Sequence, residues 1–170
     1  MRIEITKGRG EDSIAAVRGD GSRVETSLPH KGPVPHDAVH LFVERGLGFR
    51  DGFWGHVARG IHPEAIAAMA KAVGHASASR AEIPDVAIVE MIQAERLVEC
   101  FEADLWGGGG ADADLLSVAA AGCAASKVPM LELDAAAVGR IRGEIARFAE
   151  EWRAAPIGYA VKFDWPAIDA

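Results

Sequence analysis

Cysteine is scarce in this chain, with only Cys100 and Cys123 among 170 residues. Both sit in alanine-rich or apolar surroundings, which excludes a disulfide framework and suits buried free thiols in a reducing compartment. Neither has a histidine close by in sequence, so neither reads as an activated nucleophile. Positive charge is also short, with 18 Lys and Arg against 25 Asp and Glu and a formal net charge of −7. Without a basic run, the chain offers no surface of the kind that holds nucleic acid or an anionic membrane. No apolar run reaches the ~18 residues of a membrane span, and "MRIEITKGRG" lacks the apolar core of a signal peptide. These absences predict a soluble, cytoplasmic protein that engages neither nucleic acid nor membrane.

Length and composition point to a single domain over residues 1–170. The chain is 49% hydrophobic and 25% charged, and a domain of this size removes roughly 70% of its unfolded surface from water, enough for a core without staples. "RIEIT" and "SIAAV" are β-rich runs, and an Asp20-Gly21 turn leads into a third. A three-stranded antiparallel meander is therefore expected over about residues 2–28. Pro29, Pro33 and Pro35 end that pattern, and the period turns helical. A first helix is expected from Pro35 to a left-handed cap at Gly46. A second, short helix turns Phe53, Trp54 and Val57 inward and stops at Gly60. A third opens at His62-Pro63, aligns Ile66, Met69 and Val73, and closes at Gly74.

The longest helix is expected from Pro84 to about Trp106. Its apolar residues, Val86, Leu97 and Phe101 among them, crowd several faces and mark it as central. The run "GGGG" breaks it. A small-residue helix follows, and then a last helix begun by Asp134, in which Val138, Ile141, Ile145, Phe148 and Trp152 form one apolar stripe. Its Arg140/Glu144 and Arg147/Glu151 pairs read as surface decoration. Finally "IGYAVKFDWP" alternates as a half-buried strand does. One strand cannot stand alone, so it is expected to pair with the meander. The fold class is thus α+β: a small antiparallel sheet, the N-terminal three-stranded meander plus a C-terminal strand, packed against five or six helices.

The chemistry concentrates in the histidines. All of them, His30, His36, His40, His56, His62 and His75, lie in the first half of the chain. His36 and His40 stand out because four residues on a helix separate them by about 6 Å along the axis, so two imidazoles can address one ion. Zinc, or another divalent transition metal, takes such nitrogen ligands from one rigid element. The pentapeptide HDAVH has the outline of the zincin motif H-E-x-x-H, with Asp37 in the place of the acid that activates water. Aspartate is one methylene shorter than the glutamate of that motif.

A third ligand must come from elsewhere. Glu44 lies eight residues past His36, about 12 Å of helix rise, and cannot join both histidines at one ion. His56, His62, or a carboxylate of the central helix such as Glu90, Glu95 or Glu99 are the remaining choices. The plainer alternative is a structural helix, in which each histidine donates to a carbonyl and Asp37 faces the helix dipole. Other features are weaker. Glu95, Glu99 and Glu102 share a spacing usual for a solvated face, and Phe49, Phe53 and Trp54 form either core or an adaptable groove.

Residues 34–60 resemble a segment of short bacterial proteins with the pattern P-H-D-x-x-H-x-x-V-E, then L-G, then G-F-[WF]-G. The resemblance groups Pro35, His36, Asp37, His40, Glu44, Gly52, Phe53 and Gly55 in one signature and implies no activity. Two readings follow. In one, the domain binds a divalent metal through His36 and His40, with His56 or His62 as further ligands and hydrolysis assisted by Asp37 as an extension. In the other, it is a non-enzymatic module that binds a protein partner or makes a homo-oligomer.

Overall fold

A computed structural model of the protein describes residues 1–30, 32–69 and 84–166. Its sheet is built from β1 (Arg2–Thr6), β2 (Glu11–Val17), β3 (Arg23–Pro29) and β4 (Ala160–Asp164) in the order β3-β2-β1-β4, antiparallel throughout. The expected meander and its pairing with the C-terminal strand are both present. Ile5 stands opposite Ile14 on one side and Val161 on the other. With side chains alternating across the pleat, Ile3, Ile5, Ile14 and Ala16 all bury on one face. The β2–β3 turn uses Gly21 at φ +82°, and Asp20 Oδ1 accepts the Ser22 amide at 2.8 Å.

Helices cover that face. They are α1 (His36–Leu47), α2 (Phe53–Ala58), α3 (described over 63–69), α4 (Val86–Gly107), α5 (Asp112–Ala125) and α6 (Ala135–Ala154). The expected run of α3 through Val73 to Gly74 lies outside the described residues. The α+β class and the six helices agree with the sequence reading. α1 is buried continuously from Ala38 to Glu44 because α2, α4 and α6 pack around it. Phe42 of α1, Phe148 of α6 and Phe163 of β4 meet with ring centroids 5.5 to 6.0 Å apart, which joins helices to sheet.

Several boundaries differ from expectation for physical reasons. α1 ends at Gly48, at φ +70°, not at Gly46. Gly46 serves close packing instead: a Cβ there would stand 2.7 Å from Ile141 Cγ1 of α6. α4 begins beyond Pro84, where Asp85 accepts the Ala87 amide at 2.9 Å, and Val86 is 88% exposed and not part of the core. α4 is nonetheless central. It packs closely on α1 and buries Ala94, Leu97 and Phe101 in the main core, while Ile92 packs with Cys123 and Val128 in a second cluster. Cys100 and Cys123 are free and buried, and burial raises both thiols.

The stripe of α6 is buried as expected, from Val138 to Trp152, and Asp134 caps the helix through the Ala137 amide. The intrahelical pairs expected on α6 give way to partners elsewhere: Glu144 holds Arg45 of α1 at 3.0 Å, and Glu151 accepts the Tyr159 hydroxyl. At its other end, Lys7 Nζ donates to the carbonyls of Trp152 and Ala155 at 2.6 and 2.7 Å, which ties the sheet to the last helix turn. The glycine run does break the chain. Gly108 and Gly109 both take φ +84°, and Arg142 bridges the two helices by gripping Asp104 at 2.7 Å and also Asp112. Among the described residues no helix is long and apolar enough to cross a membrane.

Candidate metal centre

The packing of α1 on α4 creates the site. Pro35 starts α1 so that His36 occupies its first turn and His40 the next, and α4 runs alongside carrying Glu95 and Glu102. His36 Nε2 and His40 Nε2 lie 3.2 Å apart. Glu95 sits against both, with Oε2 3.2 Å from His40 Nε2 and Oε1 3.7 Å from His36 Nε2. These three side chains can each offer one ligand atom within 4.8 Å of the others.

The far nitrogen of each ring is fixed by a second carboxylate. His36 Nδ1 is 3.0 Å from Glu102 Oε1, and His40 Nδ1 is 2.9 Å from Glu44 Oε1. Glu44 has no exposed surface, and α2 compensates its charge: Oε1 accepts the Phe53 amide and Oε2 the Trp54 amide, both at 2.9 Å. A buried carboxylate at a helix start, satisfied by backbone N–H groups, is a favourable arrangement. Gly52 makes room for it, since a Cβ there would lie 2.5 Å from the Glu44 carboxyl. The Trp54 indole donates to the Asp37 carbonyl at 2.9 Å and closes a second link between α1 and α2.

This wiring sets the protonation logic. Each Nδ1–H donates to a carboxylate, so the neutral rings both turn an Nε2 lone pair inward, toward a carboxylate that has only lone pairs. Three acceptors meeting at one point require a cation: either a proton shared between the rings or a metal ion. Two Nε2–H groups cannot face each other at 3.2 Å. Burial opposes charge on both rings, but the hydrogen bonds of His36 to Glu102 and Glu95 and of His40 to Glu44 and Glu95 prevail and raise both above the ordinary histidine value. Because the rings meet across one 3.2 Å contact, the rise belongs to the pair, which keeps its shared proton through neutrality when no metal competes. Glu95 is pushed up by burial and pulled further down by the two histidines, ending well below the usual carboxylate range.

The other residues singled out by sequence lie elsewhere. His56 is buried and donates Nδ1–H to the Gly52 carbonyl at 2.8 Å, outside the group that converges. His62 is exposed before α3, where its Nδ1 accepts the Glu64 amide at 3.3 Å. Glu90 accepts the Arg50 amide at 2.8 Å, and Glu99 pairs with Arg96 at 2.9 Å. Asp37 lines the same cavity of about 400 Å³ as His36, His40 and Glu95. Of the aromatic set, Phe49 and Trp54 are packed in the core, while Phe53 is half-buried and lines that cavity.

Two participants were not read from the sequence in their observed roles. Glu44 lies behind His40, and Glu102 belongs to a spacing that ordinarily means a solvated face. The signal for Glu44 was the i, i+4 relation to His40 on a face otherwise fully apolar. For Glu102 it was an acid among the apolar residues of a helix buried on two sides.

Fold and site together define an α+β domain whose first and fourth helices converge two imidazoles and a carboxylate on one point. No family model matches the chain, and no curated protein and no solved structure matches it.

Proposed function

We propose that the protein binds one divalent transition-metal ion through His36 Nε2, His40 Nε2 and Glu95. The observation that carries this reading is the triangle of ligand atoms. The two Nε2 atoms stand 3.2 Å apart, Glu95 brings Oε2 to 3.2 Å from His40 and Oε1 to 3.7 Å from His36, and one ligand atom from each residue lies within 4.8 Å of the others, while a tetrahedral ion with bonds of 2.0–2.1 Å separates its ligands by about 3.3 Å. The carboxylates on both Nδ1 atoms support the reading further, because they fix the tautomer that leaves Nε2 free to bind. Two nitrogens and one oxygen suit zinc, iron, manganese or nickel, and do not suit calcium or magnesium.

Three protein ligands leave the coordination of such an ion incomplete on the cavity side, the pattern of catalytic and not structural sites. An ion there supplies Lewis-acid polarisation of whatever oxygen or nitrogen the cavity presents. The chain's own residues do the rest: Glu44 and Glu102 hold the imidazoles, and Asp37, on the cavity wall, is the group that would take a proton in a hydrolysis.

Elemental analysis of untagged protein, followed by titration calorimetry with zinc and manganese, tests the proposal. One ion per chain is expected. At a hundredfold excess over Kd, binding to the folded state alone adds about 2.7 kcal/mol, or about 5 to 10 °C for a chain of this size. Glu95→Ala, a change at a partly exposed side chain, should abolish binding while the protein stays folded. Substoichiometric metal together with no thermal shift from any of these ions refutes the proposal.

A further inference from the structure

The cavity that holds the triad is walled on its remaining sides by both the sheet and the helices. Ile14 and Leu28 come from the sheet, Phe53 from α2, Ile66 from α3 and Met91 from α4. Its volume of about 400 Å³ falls in the range of small-molecule sites, which are mostly apolar with a few convergent polar groups. Here the convergent group is the triad itself, at the polar end of an apolar chamber.

The charge of the wall narrows the ligand. Glu95 and Glu102 already balance the two charges of a divalent ion bound by neutral imidazoles, with Glu44 behind His40 held by the α2 amides. Asp12, Asp37 and Glu64 line the chamber as well. Asp12 is held by His30 Nε2 at 2.7 Å and the Gly8 amide at 3.0 Å. Leaving the two histidines aside, every charged side chain that the described residues bring to this wall is a carboxylate. An anionic ligand thus meets net repulsion even with the metal in place.

We infer that this chamber takes a small, mainly apolar molecule without negative charge, whose neutral oxygen or nitrogen donor faces the His36-His40-Glu95 end. The inference rests on the metal-binding reading for the partner of that donor. It rests on the chamber's own walls for the apolar body and the exclusion of anions. A phosphorylated or carboxylated metabolite is excluded as the occupant, and a neutral alcohol, amide or heterocycle with a hydrophobic ring or short chain fits.

The test uses the full chain loaded with cobalt(II), with phenylimidazole and benzoate as probes of similar size and opposite character. Phenylimidazole should alter the visible cobalt spectrum and bind at least about tenfold more tightly than benzoate, because each nearby carboxylate disfavours the anion. Ala67→Trp from α3 and Thr26→Trp from β3 each fill the chamber from a different wall. Either folded variant should keep its cobalt and lose phenylimidazole binding by about tenfold or more. Equal or tighter binding of benzoate, or full phenylimidazole affinity in both filled variants, overturns the inference while leaving metal binding intact. If the wild type takes up no cobalt, the metal reading fails and the probes are compared on the metal-free protein by NMR shifts of Phe53 and Met91. There, a preference for phenylimidazole supports the chamber's ligand class, and no preference overturns it.

Discussion

Glu44→Gln isolates the part of the site that holds a histidine without binding the ion. In the native protein the Glu44 carboxylate accepts three hydrogen bonds, from Phe53 N, Trp54 N and His40 Nδ1, each at 2.9 Å, and has no contact with solvent. A glutamine has one carbonyl oxygen. Placed where Oε1 lies, it keeps the Phe53 and His40 bonds, but its NH₂ then faces the Trp54 amide, donor against donor. Flipped, it loses two bonds instead of one. Leaving one buried donor unsatisfied costs about 1 to 3 kcal/mol, and the surviving bonds lose their charge assistance. We expect a total loss of about 2 to 3 kcal/mol, seen as a fall in Tm of about 5 to 10 °C by calorimetry.

The same substitution loosens the His40 ring, and removal of such an outer carboxylate typically weakens metal binding ten- to a hundredfold. Competition against a chromophoric chelator reads that change directly. Glu99→Gln is the control: Glu99 is on α4 outside the converging group and pairs with Arg96 at 2.9 Å, and its effects on Tm and on zinc affinity should both be smaller than those of Glu44→Gln. If Glu44→Gln lowers Tm and leaves zinc affinity within twofold of the wild type, Glu44 supports the fold alone and the orienting role fails.

Other outcomes follow from the same geometry. Gly52→Ala drives a methyl to 2.5 Å from the Glu44 carboxyl, so it should reproduce both losses of Glu44→Gln without touching a charge. pH should move metal-free and metal-bound protein in opposite directions. In the metal-free protein the histidines are raised above their ordinary 6.5, so their stabilisation is complete below about pH 6.5 and is lost as pH rises through the raised titration of the pair. Glu95 is lowered from its ordinary 4.5, so its contribution is complete above about pH 4.5 and is lost on further acidification. Zinc must expel the shared proton, so its thermal shift should grow from pH 6 to 9, with about one proton released per ion in calorimetry across buffers of different ionisation enthalpy; no release contradicts the shared-proton arrangement. In the core, Ile141→Ala should cost about 2 to 5 kcal/mol in urea denaturation, while Val86→Ala, at a side chain 88% exposed, should be neutral within about 0.5 kcal/mol.

The fold was largely legible because its signals are local and repeated. The α6 stripe from Val138 to Trp152 and the alternation of the four strands each follow one period over several residues, and tertiary context had only to agree with them. Where two residues compete for one role, the sequence alone does not choose. Gly46 and Gly48 are both fit to cap α1, and only the approach of Ile141 from α6 assigns one to packing and the other to the turn. The site divides in the same way. His36 and His40 were visible because helical spacing brings them together whatever the rest of the chain does. Glu95 was one of several acids on α4, and its selection depends on how far α4 slides along α1, a packing quantity with no short-range signature. Glu102 looked like solvated surface for the same reason.

Trp54 sits where two strands of this wiring end. Its backbone amide is held by Glu44, which holds His40, and its indole N–H is held by the carbonyl of Asp37, one residue from His36. Both of its protons therefore hang from the helix that carries the histidines, by separate routes. The protein thus contains its own optical and magnetic gauge: the indole proton of Trp54, followed by hydrogen exchange or by a single ¹⁵N resonance, reads the state of the site from inside the core without a label on either imidazole.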